Sequence, residues 1–248
     1  MTVDALRGRW ESGTYGRLAW MSMTDAQLLE TVAASGSFDA VVLDVQHGAY
    51  GRTEVLDAVR CLARWPVTVM ARIPSADPDL IGWLLDAGID GLIVAMCESA
   101  DTARRIVSAV RHMPEGTRSY GVFRVRPHDV DSVTYARQVV VLPMVESTAG
   151  LAVVDDIVAV EGVDGVFIGP GDLGLSLGIG AGQNRADGRI TDAFATISNA
   201  AHRVGKKVGI FATTADYART TAAGGYDLVV PWYDAAAIAA AAAAANID

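Results

Sequence analysis

Cysteine is nearly missing from this 248-residue chain, with Cys61 and Cys97 the only two. They fall on different expected elements and in no metal-ligating spacing, which excludes a disulfide framework and a structural zinc site; two reduced thiols in the cytoplasm is the economical reading. Lysine is equally scarce: Lys206 and Lys207 stand alone, and neither is expected inside a strand. No run of about 18 apolar residues suggests a membrane span, and the start MTVDALRGRWESG lacks an apolar stretch of signal-peptide length. The tail AAAIAAAAAAANID is apolar by count but consists of alanine, which favours helix without supplying a lipid-facing surface. Basic clusters with interleaved aromatics are absent and the net charge is −9, so nucleic acid is not an expected partner.

What is present is apolar bulk, 51% of residues against 20% charged, enough for a sizeable core without staples. Short apolar runs alternate with longer amphipathic ones, the pattern of β–α units. Eight strands are expected at 17–21, 40–44, 67–72, 91–94, 139–145, 165–168, 208–210 and 228–230. Most are continuous Val, Ile and Leu runs, as expected of parallel strands covered on both faces. Helices are expected at 25–34, 53–64, 78–87, 100–112, 149–160, 190–204, 215–223 and the alanine tail. Asp77 before Pro78 reads as an N-cap, and Gly88 and Gly224–Gly225 as C-caps. Eight such pairs predict one closed (β/α)8 barrel domain spanning 1–248. An open doubly wound sheet is the fallback, although no GxGxxG or GxxxxGK[ST] turn occurs. Residues 114–135 fit no single β–α unit and are expected to form a loop with a short helix; 178–188, rich in glycine and polar residues, is expected to be mobile.

Barrel active sites form at the C-terminal strand ends. The polar residues expected there are Asp44, Gln46 and His47 after the second strand, Arg72 at the end of the third, Glu146 after the fifth, and Gly171–Asp172 after the sixth. Asp86 comes shortly before the fourth. Two hard carboxylates on adjacent strand ends, Glu146 and Asp172, suit Mg²⁺ or Mn²⁺ with open positions; a loop carboxylate and a helix N-cap are the plainer alternatives. Arg72, followed by Ile73 and Pro74, offers a rim guanidinium to a carboxylate or oxyanion, or makes a rim salt bridge. His47 can move a proton or serve as a structural histidine. Cys97 reads as buried filler, and Trp232–Tyr233 as candidates to line the mouth.

The same positions carry a family resemblance. LDVQHGAY at 43–50, the stretch 71–119 beginning ARIPSADPDLIGWLLDAGIDGLIV, VLPMVES at 141–147 and GVDGVFIGPGDLGLSLG at 162–178 resemble the HpcH/HpaI aldolases, metal-dependent class II pyruvate aldolases. A weaker match runs from KKVGIF at 206–211 to the end. The resemblance implies a (β/α)8 TIM barrel that forms a homo-oligomer, often a hexamer of dimers exchanging the last helix. It places a divalent metal (Mg²⁺ or Mn²⁺, with Co²⁺ a further candidate) on Glu146 and Asp172, and the pyruvate carboxylate and oxo group on Arg72. Proton handling falls to His47, and its orientation, or that of a metal-bound water, to Asp44 and Asp86. The backbone at Gly171–Asp172 receives the substrate carboxylate. Two positions depart from the family pattern: Gln46 stands where Glu is usual, and Met144 where Gln is usual.

The implied reaction is reversible cleavage of a 4-hydroxy-2-oxo acid to pyruvate and an aldehyde through a metal-stabilised enolate, without a lysine Schiff base. Its rivals use the same enolate: oxaloacetate decarboxylation, citrate-type condensation or cleavage of a coenzyme A thioester. A non-catalytic anion-binding barrel is the rival of another class. The substrates are small molecules.

Overall fold

The computed structural model describes residues 3–121, 131–181, 187–212 and 214–245. Eight parallel strands close into a barrel in chain order: β1 Gly16–Met21, β2 Ala40–Asp44, β3 Thr68–Ile73, β4 Gly91–Val94, β5 Val140–Val145, β6 Gly165–Ile168, β7 Lys207–Ile210 and β8 Leu228–Tyr233. Around them lie α1 Val3–Glu11, α2 Ala26–Ala34, α3 Arg52–Leu62, α4 Pro78–Ala87, α5 Ala100–Val110, α6 Ser132–Gln138, α7 Thr148–Ala152, α8 Val154–Val158, α9 Pro170–Ser176, α10 Gly188–Arg203, α11 Ala215–Ala223 and α12 Asp234–Ala244. The expected TIM barrel is the observed fold. No described helix is long and apolar enough to cross a membrane.

Burial explains why the strands read as unbroken apolar runs. All residues of β2, β3, β4, β5 and β6 are buried, the inner face by the barrel filling and the outer by the helices. Asp77 caps α4 by accepting from Asp79 N–H, and Gly88 ends it in the left-handed conformation that glycine adopts without strain. At the end of α11, Gly225 is the left-handed residue of the glycine pair.

One device recurs four times at the N-terminal end of the barrel. An aspartate precedes each even-numbered strand: Asp39, Asp90, Asp164 and Asp227. A carboxylate oxygen of each accepts the backbone N–H of an odd-strand residue, Arg17, Val69, Val141 and Val208 respectively. Each aspartate N–H also donates to the carbonyl of that residue, and its own carbonyl accepts from the next odd strand, at Thr68, Val140, Lys207 and Gly16. The four carboxylates thereby satisfy N–H groups at the strand starts, which would otherwise lack partners there. Helix α1 was not expected. It lies at this same end, with Leu6 fully buried so close to Gly16 that a Cβ there would come within 2.4 Å of its methyl.

Other differences from expectation have local causes. Residues 149–160 form two short helices broken at Val153, which lets α8 bury Val154, Ile157 and Val158 while α7 buries Gly150. Strand β8 runs on to Tyr233, three residues beyond the expected end. Its register against β1 slips between Arg17 and Ala19, opposite Pro231, which has no N–H to give the ladder. Lys207 does begin β7, but at the N-terminal end, where its ammonium pairs with Asp227 at 2.9 Å. The short helix expected within 114–135 is α6, which begins at Ser132 and runs three residues past that segment to Gln138. Residues 122–130 and 182–186, with His128 and part of each of the segments 114–135 and 178–188, lie outside the described residues.

Candidate active site

The C-terminal strand ends gather most of the anticipated residues in two groups. The first centres on Asp44, at the end of β2. Its Oδ1 accepts the backbone N–H of Gln46 at 3.1 Å and of His47 at 2.9 Å, folding the chain back at once after the strand. Gly48 completes that turn, and no side chain fits there, because a Cβ would lie 2.3 Å from the Asp44 carbonyl oxygen. The other oxygen, Oδ2, accepts from Trp20 Nε1 at 3.0 Å and from Arg72 Nη2 at 2.7 Å. Burial alone would raise the Asp44 carboxyl, but the Arg72 guanidinium and the His47 and Trp20 N–H groups outweigh it and hold the group below the ordinary carboxylate range.

Arg72, at the end of β3, is fixed on two sides. Besides Asp44 it donates from Nη1 to Gln46 Oε1 at 2.7 Å, and its guanidinium carbon stands 5.6 Å from the centre of the Trp20 ring. Its Nε is buried with no partner among the described residues. A buried donor left open costs free energy unless a ligand satisfies it. The rim salt bridge thus forms while the third nitrogen of the same side chain is left unpaired. His47 is exposed, and its ring bonds to no described residue. Asp44 thus sets the place of His47 through the main chain and does not touch its imidazole.

The second group is the carboxylate pair. Glu146 follows β5 and is 4% exposed; its Oε1 accepts the Met96 N–H at 2.8 Å. Met96 has a φ of 54°, a left-handed conformation unusual for a side chain of this size, in the turn that supplies that N–H. Gly169 is required opposite it, since a Cβ would stand 2.3 Å from Glu146 Oε2. Asp172 lies in the first turn of α9, whose N-cap position is taken by Gly169, so its carboxylate is not spent as a helix cap. Burial, followed by the neighbouring Asp172, pushes the Glu146 carboxyl up to about 7 against the pull of the Met96 N–H and of Arg72. Two carboxylates held together in this way fit a hard divalent cation, which would relieve their repulsion. No cluster of three or more His, Cys, Asp or Glu side chains suited to a metal occurs among the described residues. Glu146 and Asp172 by themselves are a sparse set of hard oxygen donors, which a cation would have to complete with other ligands such as water. Met144 lies two residues before Glu146, within β5, and its side chain is buried. Gly171 has open space where its Cβ would be.

Asp86 is not brought to either group within one chain. It sits at the far end of α4, about 13 Å down the helix from Asp77 at a rise of about 1.5 Å per residue, toward the N-terminal strand ends. There it pairs with Arg118 at 2.5 Å and lines a cavity of about 390 Å³ with Arg52 and Trp83. Cys97 is 1% exposed, and burial pushes its thiol up to about 11, as befits filler. Tyr233 joins an aromatic wall with Phe211 and Trp20, whereas Trp232 packs on Phe38.

Sequence reasoning missed Trp20, Met96, Gly169 and Asp234. Asp234 is fully buried and accepts from Ser22 N, Ser22 Oγ, Met23 N and Ala235 N at 2.7–2.8 Å. Ser22 carbonyl in turn holds Ala49 N–H at 2.9 Å, so Asp234 supports the turn that carries His47. Trp20 and Asp234 obey the strand-end rule that found Asp44 and Glu146. The β8 end expected at 230 concealed Asp234.

Comparison with known proteins identifies the family. A family model described as HpcH/HpaI aldolase/citrate lyase matches residues 17–241. A hydroxypyruvate/pyruvate aldolase from Rhizorhabdus wittichii is 33% identical over 97% of this chain and 96% of its own length. Among solved structures, an HpcH/HpaI aldolase/citrate lyase family protein from Burkholderia cenocepacia superposes with a TM-score of 0.89 at 27% identity, covering 98% of this chain and 97% of the other. The citrate synthase SbnG does so at 0.85 and 26%, covering 96% and 94%. With the matched model spanning nearly the whole barrel and a relative above 30% identity end to end, the chain belongs to the HpcH/HpaI aldolase/citrate lyase family and is a carbon–carbon lyase.

Proposed function

We propose that the protein is a divalent-metal-dependent aldolase that cleaves a 4-hydroxy-2-oxo acid to pyruvate, or a close 2-oxo acid, and an aldehyde. One observation carries the reading: a buried guanidinium with an open Nε shares the mouth with a carboxylate pair that repels itself. Glu146 and Asp172 would hold the cation, Mg²⁺ or Mn²⁺ with Co²⁺ a further candidate. When bound, it supplies Lewis-acid stabilisation of charge on the 2-oxo oxygen.

The chain's own residues account for the remainder. Arg72 offers its Nε hydrogen to the oxygen that becomes negative, with the other two nitrogens fixed on Asp44 and Gln46, so little reorganisation is required as charge develops. Gly171, with open space beside it, admits the substrate carboxylate to the first turn of α9. In the cleavage direction His47 takes the proton of the 4-hydroxyl. The C3–C4 electron pair stays with the oxo acid as an enolate, the aldehyde departs, and C3 regains a proton. Carboligation is the reverse. A role for Asp86 at a reacting centre would require a second copy. Helix α12 buries only Asp234 of its own residues and leaves Ile238 exposed, which suits an alanine face packing on another protomer in a homo-oligomer, a hexamer in this reading. The two free thiols fit a reducing compartment, the cytoplasm.

Pyruvate release from a 4-hydroxy-2-oxo acid, followed with and without Mn²⁺ by coupled NADH oxidation, tests the reading. Release that requires Mn²⁺ is expected; loss of oxaloacetate alone would move the assignment to decarboxylation. Citrate-type condensation is the second reading, favoured by the likeness to citrate synthase SbnG.

A further inference from the structure

Gln46 has two functional ends, and only one is spent. Because arginine only donates, the amide oxygen must be the end that meets Arg72 Nη1 at 2.7 Å, which leaves Nε2 facing away. That nitrogen donates to no described residue and is not among the buried unpartnered atoms, so it meets solvent at the mouth of the barrel. Gln46 also determines the charge of the group. Arg72 is compensated there by one carboxylate, Asp44, and by a neutral amide, while Glu146 and Asp172 already bring two carboxylates to the same mouth. A carboxylate at position 46 would hold Arg72 equally well. It would, however, add a third negative charge to that mouth beyond the one paired with Arg72, and it would offer no donor.

From this arrangement we infer that Gln46 is a specificity-determining residue for the acceptor aldehyde. Its free N–H groups and its neutrality select an acceptor with an anionic oxygen next to the reacting carbonyl, a short 2-oxo acid, over a neutral hydroxyaldehyde. The chemical logic is that of a donor facing an acceptor: glyoxylate carries a carboxylate where glycolaldehyde carries a hydroxymethyl, and the two are otherwise the same size. Only the carboxylate both accepts two hydrogen bonds and gains from the missing negative charge at position 46. The inference rests on the aldolase reading above and extends it to the second substrate.

The test compares carboligation of pyruvate with glyoxylate and with glycolaldehyde, using the Mn²⁺-loaded wild type, Gln46→Glu and Gln46→Met. The readout is the ratio of kcat/KM for the two acceptors. Wild type is expected to favour glyoxylate. Gln46→Glu should lower that ratio at least about tenfold, mainly through the KM for glyoxylate, and Gln46→Met, neutral but without donors, should fall between. A ratio unchanged in both variants, or a wild type that prefers glycolaldehyde, overturns the inference. Deuterium exchange of the pyruvate methyl group in wild type, with no aldehyde present, separates the two levels. Absent exchange overturns the aldolase reading and this inference with it, whereas exchange with an unchanged ratio overturns this inference alone.

Discussion

Replacing Glu146 by glutamine should stabilise the metal-free protein above neutral pH and destabilise its response to metal. The Glu146 carboxyl rises from 4.5 to about 7 on folding. The folded state therefore binds its proton more tightly than the unfolded state does, and stability falls as pH climbs between those two values. At about 1.4 kcal/mol for each tenfold change in proton affinity, the full effect is about 3 kcal/mol. It is fully developed above pH 7 and absent below pH 4.5. Glutamine keeps the shape, still accepts the Met96 N–H, and carries no charge to desolvate. In EDTA, urea unfolding of Glu146→Gln should match wild type near pH 4.5 and exceed it by about 3 kcal/mol at pH 8, a rise in Tm of roughly 6–12 °C for a chain of this size. With saturating Mn²⁺ the order should invert, because only wild type gains binding energy. Apparent metal affinity of wild type should also fall about tenfold for each pH step below 7, since a proton competes for the same oxygens. A wild-type-to-variant difference in EDTA that stays flat from pH 5 to pH 8 would refute the account of a buried, self-repelling carboxylate pair.

Three further outcomes are expected. Gly169→Ala should push the Glu146 carboxylate aside, lowering Mn²⁺ affinity at least about tenfold by titration calorimetry while costing about 1–3 kcal/mol of stability through overpacking; unchanged affinity would mean that the 2.3 Å approach is relieved elsewhere. Arg72→Lys should lower kcat about a hundredfold, because an ammonium gathers its donors on one nitrogen and cannot span Asp44, Gln46 and a third partner as the guanidinium fork does; a near-normal rate in steady-state assays would make Arg72 structural. Asp234→Asn should cost about 3 kcal/mol in urea unfolding, since an amide NH₂ would face N–H donors in a fully buried place, and a loss under 1 kcal/mol would contradict that packing.

Much of the barrel was legible because parallel strands are buried on both sides, and continuous valine and isoleucine runs report that directly. Arg72, Asp44 and Glu146 were legible for a related reason: a polar residue terminating an apolar run must leave the core at the strand end. What stayed hidden depends on geometry that side-chain type does not encode. Met96 acts through its N–H and a left-handed φ, and no property of methionine announces either. Gly169 matters for the volume that it leaves to Glu146. The place of Asp86 follows from helix direction, since α4 carries it away from the mouth that Asp77 adjoins. Helix α1 was missed because its apolar signal is short, Leu6 and Trp10 amid charge.

The quartet of aspartates beneath the strands has a consequence for how such a barrel can change. Each one ties together an odd strand, the even strand it introduces and the next odd strand, so alignment is settled on the side remote from any substrate. Loops on the opposite side add contacts of their own, such as Met96 N–H on Glu146, but the strand starts are already tied beneath them. They can be lengthened, shortened or exchanged to suit a different aldehyde without shifting the strands that carry Arg72 and Glu146, so new selectivity can be acquired without rebuilding the scaffold.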